Sequence, residues 1–319
     1  MKSLINTKTI IQDKIDDIIG QDKAKYQIKS ALIANRHILI IGPPGIGKTT
    51  IAKNISKLLP KKKDKNSFIR IQGSPDLTVE DIIGDIDPIK AMKYGPLSTE
   101  AFSPGKIFKA DKGILFFDEI NRAPEKLQNA LLQALQERKV TIGSYDVDLD
   151  VNFVLIATMN PEDINTQKLS YVLMDRFDVI YMEYPENLKQ EYEITMTSAQ
   201  DIIDIDKLTK KDKDENSKIL YYFIDFIRDL RENQELLHKP SPRACIGLYE
   251  RAQSNALLSK RKIPSFEDYR DAMVSVLMHR IELKPSAKIK TNINNFLSKE
   301  FDSYVEKHPD SSITKDQST

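Results

Sequence analysis

Short apolar runs alternate with longer amphipathic stretches in the first half of the chain. Five of these runs suit the strands of a covered sheet: Ile38–Ile41, Phe68–Ile71, Gly113–Glu119, Phe153–Thr158 and Val179–Met182. Between them apolar residues recur at helical spacing, as in the segment that Pro124 opens, whose stripe is Leu127, Leu131, Ala134 and Leu135. Because strands alternate with helices, the pattern predicts an α/β fold with a five-stranded parallel sheet covered on both faces.

The periodicity changes after Tyr184 and Pro185. Residues 187–283 show helical spacing and no strand pattern, which predicts a separate helical subdomain. A last amphipathic segment carries an apolar stripe that is either core or a partner-binding face: Ile289, Ile293, Phe296, Leu297 and Phe301. We therefore divide the chain into a helical lead-in (1–36), an α/β core (37–185), a helical subdomain (187–284), and a C-terminal helix with a disordered tail (285–319).

Two segments interrupt the alternation of the core. The stretch at about 73–106 is rich in glycine and proline and is too long for an ordinary connection, so we expect it to be functional. Within it we predict a short helix from Thr78 to Ile83 with Thr78 as its N-cap. The stretch 139–151 alternates around Gly143 and Ser144, which predicts a β-hairpin.

Composition narrows the class of protein. The chain has 319 residues, 40% of them hydrophobic and 30% charged, with a formal net charge of +1. This balance gives no global argument for a nucleic-acid or anionic-membrane partner. The single cysteine, Cys245, excludes an internal disulfide and a cysteine-rich metal site. No run approaches the roughly 18 apolar residues of a membrane span, and residues 1–6 lack a signal-peptide pattern. We expect a cytoplasmic protein without a membrane span.

A glycine-rich turn follows the first strand and precedes a helical pattern. Gly42, Gly47, Lys48 and Thr49 occupy every fixed position of G-x-x-x-x-G-K-[ST]. Glycines let such a loop aim backbone N–H groups at a phosphate, and the helix that follows directs its positive end there. The alternative is a chance glycine turn. The predicted nucleotide-binding residues are Gly42, Pro43, Pro44, Gly45, Ile46, Gly47, Lys48, Thr49 and Thr50.

Polar residues end two of the later strands. Asp118, after an apolar run, suits a second Mg²⁺ contact beside the Thr49 hydroxyl, and Glu119 could accept a proton from an attacking water. Helix capping is the alternative role for these adjacent acids. Asn160 could bond the γ-phosphate or orient the water, although Asn-Pro is also a common turn.

The order of these motifs resembles the AAA+ ATPases, and within them the helix-2-insert branch of MoxR and the magnesium-chelatase I subunit. The resemblance runs from about residue 15 to 284. It rests on these stretches: Ile19–Asp22, Pro75–Leu77 with Asp81 and Gly84, Ala101–Gly105, Ala110–Gly113, Asp118–Ala123, Leu135–Ile142, Ala157–Pro161, Met174–Phe177, Ser241–Ala244 and His279–Ile281.

The resemblance implies a role for each matching residue. Lys48, Glu119 and Asn160 would be catalytic, the last as sensor 1, and Thr49 and Asp118 would hold Mg²⁺. Arg176 matches the arginine finger, which would act on the nucleotide of a neighbouring subunit, with Arg122 and Arg138 as rivals at that boundary. Arg243 matches sensor 2 on a helical lid, which would be the subdomain at 187–284. The segments 73–106 and 139–151 match the helix-2 insert and the hairpin before sensor 1.

The resemblance also implies a function. It indicates an ATP- and Mg²⁺-dependent, ring-forming ATPase, by family expectation a hexamer, that remodels a protein client or matures a complex. It suggests a partner with a von Willebrand factor A domain. One alternative is a true magnesium-chelatase I subunit. A second is a nucleic-acid-remodelling ATPase, against which the neutral charge argues. A third is a nucleotide-binding scaffold without turnover, which Glu119, Asn160 and Arg176 make a poor fit.

Overall fold

The protein is described here from a computed structural model. The structure describes residues 7–13, 15–58, 68–95, 98, 100–141, 148–161, 169–204 and 208–309. The chain divides into two compact units, Met1–Glu183 and Tyr184–Thr319.

The first unit is built from short strands and helices that alternate along the chain. Its strands are β1 (His37–Ile41), β2 (Phe68–Gln72), β3 (Gly84–Ile86), β4 (Phe102–Pro104), β5 (Ile114–Asp118), β6 (Lys139–Thr141), β7 (Asp148–Asp150), β8 (Val154–Met159) and β9 (Phe177–Tyr181). Its helices are α1 (Thr7–Gln12), α2 (Asp22–Ile33), α3 (Lys48–Lys57), α4 (Val79–Ile83), α5 (Pro88–Tyr94), α6 (Lys106–Lys109), α7 (Glu125–Glu137) and α8 (Tyr171–Met174), with a 3-10 turn at Ile120–Arg122.

Five strands form one parallel sheet in the order β2-β5-β8-β1-β9. This confirms the predicted five-stranded parallel sheet. Strands β1, β5 and β8 lie inside the sheet, where almost every residue is buried. Since all five strands run in one direction, their carboxyl ends share one edge, which is where ligands bind in open α/β sheets.

Helices cover the sheet on both faces, as the pattern predicts. One face packs against α7, and its buried members include Leu39, Phe117 and Leu155 together with Leu127 and Leu131 of the helix. Helix α3 contacts β5 and β8. The stripe predicted for the helix after Pro124 is buried at all four positions, so that prediction is confirmed.

The two interrupting segments contain small local structures. Thr78 caps α4 by accepting a hydrogen bond from the Asp81 N–H at 3.2 Å, and the Asp81 carboxylate bonds back to the Thr78 N–H, which confirms the predicted cap. Strands β3 and β4 pair antiparallel, as do β6 and β7. The turn predicted at Gly143 and Ser144 lies outside the described residues.

The second unit is mainly helical. Its helices are α9 (Leu188–Ser198), α10 (Lys210–Glu232), α11 (Pro242–Leu258), α12 (Phe266–Leu277), α13 (Pro285–Lys288) and α14 (Ile293–Lys307). Two very short strands, β10 (Leu236–His238) and β11 (Glu282–Leu283), pair antiparallel. The prediction that 187–283 contains only helices is therefore wrong at this one ladder, which is too short to leave a sequence pattern. No helix in the described part of the chain has the length and apolar character that a bilayer crossing needs.

Aromatic rings dominate the core of the second unit. Phe223 stacks on Tyr269 and Phe301, with ring centroids 5.0 and 5.3 Å apart. Phe296, Leu297 and Phe301 of α14 are buried in this core, so most of the last apolar stripe is core and not a partner-binding face. Ile289 is the exception, because it precedes α14 and is 87% exposed. The residues of the predicted tail from 310 onward lie outside the described part of the chain.

A buried ionic cluster ties several elements of the second unit together. The fully buried Glu191 carboxylate of α9 accepts hydrogen bonds from Arg231 of α10, at 2.7 Å for one of the two, and from Arg228 at 3.2 Å. Arg231 Nε also donates to the Pro240 carbonyl at 2.6 Å. The Cys245 thiol donates to Glu191, and burial raises its pKa well above the ordinary value. Cys245 is thus an inert core residue.

Candidate functional site

The phosphate-loop motif forms the turn between β1 and α3. Gly42 has no room for a side chain, because a Cβ there would lie 2.3 Å from the Met182 carbonyl oxygen. Gly45 and Gly47 have φ values of +75° and +93°, in the region that favours glycine. Helix α3 begins at Lys48, so its first N–H groups, which have no acceptor within the helix, face the loop. This is the backbone that an anion site requires.

Lys48 folds back over this loop. Its Nζ donates to the carbonyl oxygens of Gly42 and Pro43, the latter at 2.8 Å. These neutral acceptors are weaker partners for an ammonium than phosphate oxygens are. A phosphate bound in the loop would therefore compete well for the ammonium group.

Thr49 and Asp118 meet at the carboxyl edge of the sheet. The Thr49 hydroxyl donates to Asp118 Oδ2 at 3.1 Å. The Thr158 hydroxyl, on the neighbouring strand β8, donates to Asp118 Oδ1 at 2.7 Å and is fully buried. Hydroxyl and carboxylate oxygens are the ligands that Mg²⁺ prefers, and protein sites usually supply only one or two of them beside phosphates and water. The donor set fits the predicted metal. The described residues include no cluster of three or more His, Cys, Asp or Glu side chains arranged for a metal.

Glu119 follows Asp118 with a backbone in the left-handed region, φ +55°. Its N–H donates to Thr158 Oγ1 at 2.9 Å. Its carboxylate oxygen Oε2 accepts from Gln72 Nε2 at 2.9 Å and pairs with Arg122 at 3.1 Å. The left-handed turn directs the Glu119 side chain away from the strand, so the two adjacent carboxylates have different partners. Glu119 precedes the 3-10 turn, but its side chain makes no capping hydrogen bond there.

Asn160 lies directly after β8, beside the phosphate loop. The preceding Met159 carbonyl accepts a hydrogen bond from the Gly42 N–H at 3.3 Å, and the Asn160 carbonyl accepts one from Asn121 Nδ2 at 3.3 Å. The structure therefore brings Lys48, Thr49, Asp118, Glu119 and Asn160 together at one edge of the sheet.

Arg176 lies elsewhere. It precedes Phe177, whose register partner is His37, the first residue of β1, whereas the phosphate loop follows the last residue of β1. Five residues of strand span about 16 Å, which is farther than an extended arginine side chain reaches. The register therefore excludes contact between the Arg176 guanidinium and the phosphate loop of its own chain. Its guanidinium pairs loosely with Asp175 at 3.8 Å, and its Nε is buried without a hydrogen-bond partner among the described residues.

Arg243 belongs to the second unit, where it is exposed in the first turn of α11. Arg280 lies near it, and burial together with the Arg243 charge lowers the Arg280 pKa below its usual value. Two neighbouring arginine side chains of this kind are suited to binding an anion. The sequence analysis assigned a role only to Arg243.

Sequence reasoning also missed three residues around the acidic pair. Arg70 pairs with Asp118 Oδ2 at 2.7 Å, Gln72 bonds Glu119, and Thr158 bonds both acids. Arg70 and Gln72 alternate with the buried Ile71 on β2. The sequence did contain a signal that could have found them. Arg70 is a charged residue inside a predicted strand of a covered sheet, where apolar residues are usual on both faces.

Comparisons with known proteins bear on this site. Residues 37–179 match the family described as "ATPase family associated with various cellular activities (AAA)". The uncharacterised protein YeaC of Bacillus subtilis is 29% identical over 290 residues, covering 86% of each chain. Chaperone MoxR1 of Mycobacterium tuberculosis is 29% identical over 287 residues, covering 83% of this chain and 73% of MoxR1.

Two further comparisons concern a chelatase subunit and a solved structure. A magnesium-chelatase subunit ChlI homologue of Methanocaldococcus jannaschii is 25% identical over 338 aligned positions, covering 88% of this chain and 90% of the homologue. A RuvB variant of Thermotoga maritima is 21% identical with a TM-score of 0.52, covering 82% of this chain and 72% of RuvB. The RuvB likeness shows the fold alone.

Proposed function

The chain carries an AAA-family ATPase domain related to MoxR and magnesium-chelatase I proteins, and from this premise we propose that it hydrolyses ATP with Mg²⁺ as a ring of identical subunits. The observation that carries the proposal is the meeting of the phosphate loop, the Thr49–Asp118 pair and Glu119 at one edge of the sheet. A hexamer is the family expectation for the ring.

Each residue of the site has a role that follows from its position. Lys48 would exchange its two carbonyl acceptors for the β- and γ-phosphate oxygens, and Thr49 and Asp118 would hold the metal. Bound Mg²⁺ supplies positive charge that stabilises the transferring phosphoryl group. Glu119 would accept a proton from the attacking water, and Asn160 would orient that water or the γ-phosphate.

The position of Arg176 favours assembly of several copies into a ring. The register separates it from the phosphate loop of its own chain by the length of β1, yet its Nε is buried without a partner within the described residues. The side chain as a whole is 36% exposed and pairs only loosely with Asp175, so phosphates bound to a neighbouring copy could reach the exposed part of the guanidinium. In other nucleotide hydrolases an arginine of this kind contributes about 10³- to 10⁵-fold in rate.

Two variants test the catalytic assignments. We expect Glu119→Gln to bind ATP but to lose about 10²-fold or more in turnover, and Arg176→Ala to lose about 10³-fold. The two variants mixed should recover activity, since sites with Glu119 from one subunit and Arg176 from the other become complete. The matched control mixes Glu119→Gln with a chain carrying both changes, which should recover none. Unchanged turnover in either single variant would remove that residue from the mechanism.

The biological role is the finer part of the proposal. We propose remodelling of a protein client or maturation of a complex in the cytoplasm, with a partner that contains a von Willebrand factor A domain, as the family resemblance suggests. In support, one relative, aligned over 73% of its length, is named a MoxR chaperone. ATP-bound Glu119→Gln protein, used as bait, should retain client and partner, whereas Lys48→Ala protein should not. Recovery of no specific protein would count against this role.

The runner-up is a magnesium-chelatase I subunit, which the archaeal ChlI homologue keeps open. Its test is Mg²⁺ insertion into a porphyrin in the presence of cognate chelatase subunits. Insertion that depends on this chain would favour the runner-up over the remodelling role. A nucleic-acid remodeller is the third candidate, and tight, salt-dependent DNA binding would support it.

A further inference from the structure

The carboxylate expected to hold the metal, that of Asp118, already forms an ion pair with an arginine side chain. Asp118 Oδ2 accepts from Thr49 Oγ1 at 3.1 Å and pairs with the Arg70 guanidinium at 2.7 Å. The other oxygen, Oδ1, accepts from Thr158 at 2.7 Å. The Asp118 side chain is only 10% exposed, so these three donors satisfy most of the acceptor capacity of the group. A metal bound between Thr49 and Asp118 would use the oxygen that Arg70 occupies.

Arg70 can leave this position without disturbing the core. Its side chain is 44% exposed, and it lies on β2, which is an edge strand of the sheet. Apart from Asp118, its guanidinium donates to Gln72 Oε1 at 3.2 Å, two residues along the same strand. Both contacts are polar, and neither involves a buried apolar group.

We propose that Arg70 occupies the place of the metal on Asp118 in the nucleotide-free protein and that binding of the Mg²⁺–nucleotide complex displaces it. This inference rests on the proposed nucleotide site. A divalent cation and a guanidinium repel each other strongly at one carboxylate oxygen, so one must leave when the other binds. Arg70 is thus a positioning residue: it pairs with Asp118 and keeps the carboxylate oriented while no metal is bound.

Displacement of Arg70 would also affect Glu119. Gln72 links the two acids, because its Oε1 accepts from Arg70 while its Nε2 donates to Glu119 Oε2 at 2.9 Å. When Arg70 withdraws from Asp118, the Gln72 amide loses a charged partner and its hold on Glu119 weakens. Metal binding at Asp118 is in this way linked to a weaker contact between Gln72 and Glu119, while Glu119 keeps its pairing with Arg122.

The experiment measures metal affinity directly. ADP-loaded protein is titrated with Mn²⁺, which stands in for Mg²⁺, and free Mn²⁺ is followed by electron paramagnetic resonance. We expect Arg70→Ala, and Arg70→Gln as a second neutral variant, to bind Mn²⁺ about two- to fivefold more tightly than wild type, the range that a half-exposed ion pair provides. Arg70→Lys should stay near wild type. Arg36→Ala is the matched control, since it removes an exposed ion pair of 3.0 Å to Asp178 in the same unit.

A second readout needs no ligand. In EDTA without nucleotide, the neutral Arg70 variants should unfold at lower temperature than Arg36→Ala, because the Asp118 side chain, which is only 10% exposed, then lacks its cationic partner. Unchanged or weaker Mn²⁺ affinity in the neutral variants, with normal ADP binding, would overturn the inference alone. Failure of the wild type to bind ADP would overturn both the inference and the proposed function.

Discussion

His37 gives the stability of the nucleotide-binding unit a defined pH dependence. It is the first residue of β1, the strand that leads into the phosphate loop, and its Nδ1 accepts a hydrogen bond from the Leu155 N–H at 3.0 Å. Burial, and then the nearby charges of Arg138 and Arg36, lower the His37 pKa to about 4 from its ordinary 6.5. A proton on Nδ1 would replace the acceptor with a donor and break the bond to β8.

The sign and size of the effect follow from these two pKa values. The unfolded chain binds the proton first as pH falls, so stability is fully present above pH 6.5 and declines toward pH 4. The whole difference corresponds to about 3 kcal/mol, since one pKa unit is worth about 1.4 kcal/mol. At pH 5 the two protonation equilibria already differ by about 2 kcal/mol.

The assay is denaturant unfolding followed by circular dichroism at pH 7.5 and pH 5. The substitution His37→Asn keeps an acceptor for the Leu155 N–H but does not titrate. We expect the wild type to lose about 2 kcal/mol more than this variant between the two pH values. His279→Asn, at an exposed histidine of the second unit, should behave as wild type. Parallel pH profiles for wild type and His37→Asn would refute the reasoning.

Two further substitutions test close contacts in each unit. Gly73→Ala would place a Cβ 2.0 Å from the Glu119 carbonyl oxygen. We therefore expect the end of β2 to shift and ATP turnover to fall at least about tenfold. Retained turnover would mean that this edge of the sheet accommodates a larger side chain than the contact implies. Glu191→Gln would leave the buried Arg231 without its carboxylate and should cost about 3–5 kcal/mol in unfolding experiments. A loss below 1 kcal/mol would show that the pair contributes little.

The parts of the fold that could be predicted from the sequence are those encoded locally. The apolar runs of β1, β5 and β8, and the stripe of α7, are strong because each segment is buried along its length. The phosphate loop is equally local, since Gly42, Gly47 and Lys48 lie within seven consecutive positions. Such signals require no knowledge of which strand neighbours which.

The missed features depend on pairing between distant segments. Arg70 and Gln72 reach the acidic pair only because β2 lies beside β5 with Gln72 opposite Asp118, and nothing in either segment specifies that register. The separation of Arg176 from the phosphate loop likewise follows from the pairing of β9 with β1. The ladder of β10 and β11 has too few residues for any periodicity.

The carboxyl edge of the sheet contains three positions with unusual backbone requirements. Glu119 adopts a left-handed conformation, which costs a non-glycine residue free energy. Gly42 and Gly73 allow neighbouring carbonyl groups so close that no side chain fits. A fold that needed only a stable sheet would gain stability if these positions adopted ordinary backbone conformations and spacings. Similar departures occur elsewhere in the chain, for example at Gly84 and Gly105, but those at Glu119, Gly42 and Gly73 lie beside Asp118 and the phosphate loop and agree with the proposal that this edge binds a ligand.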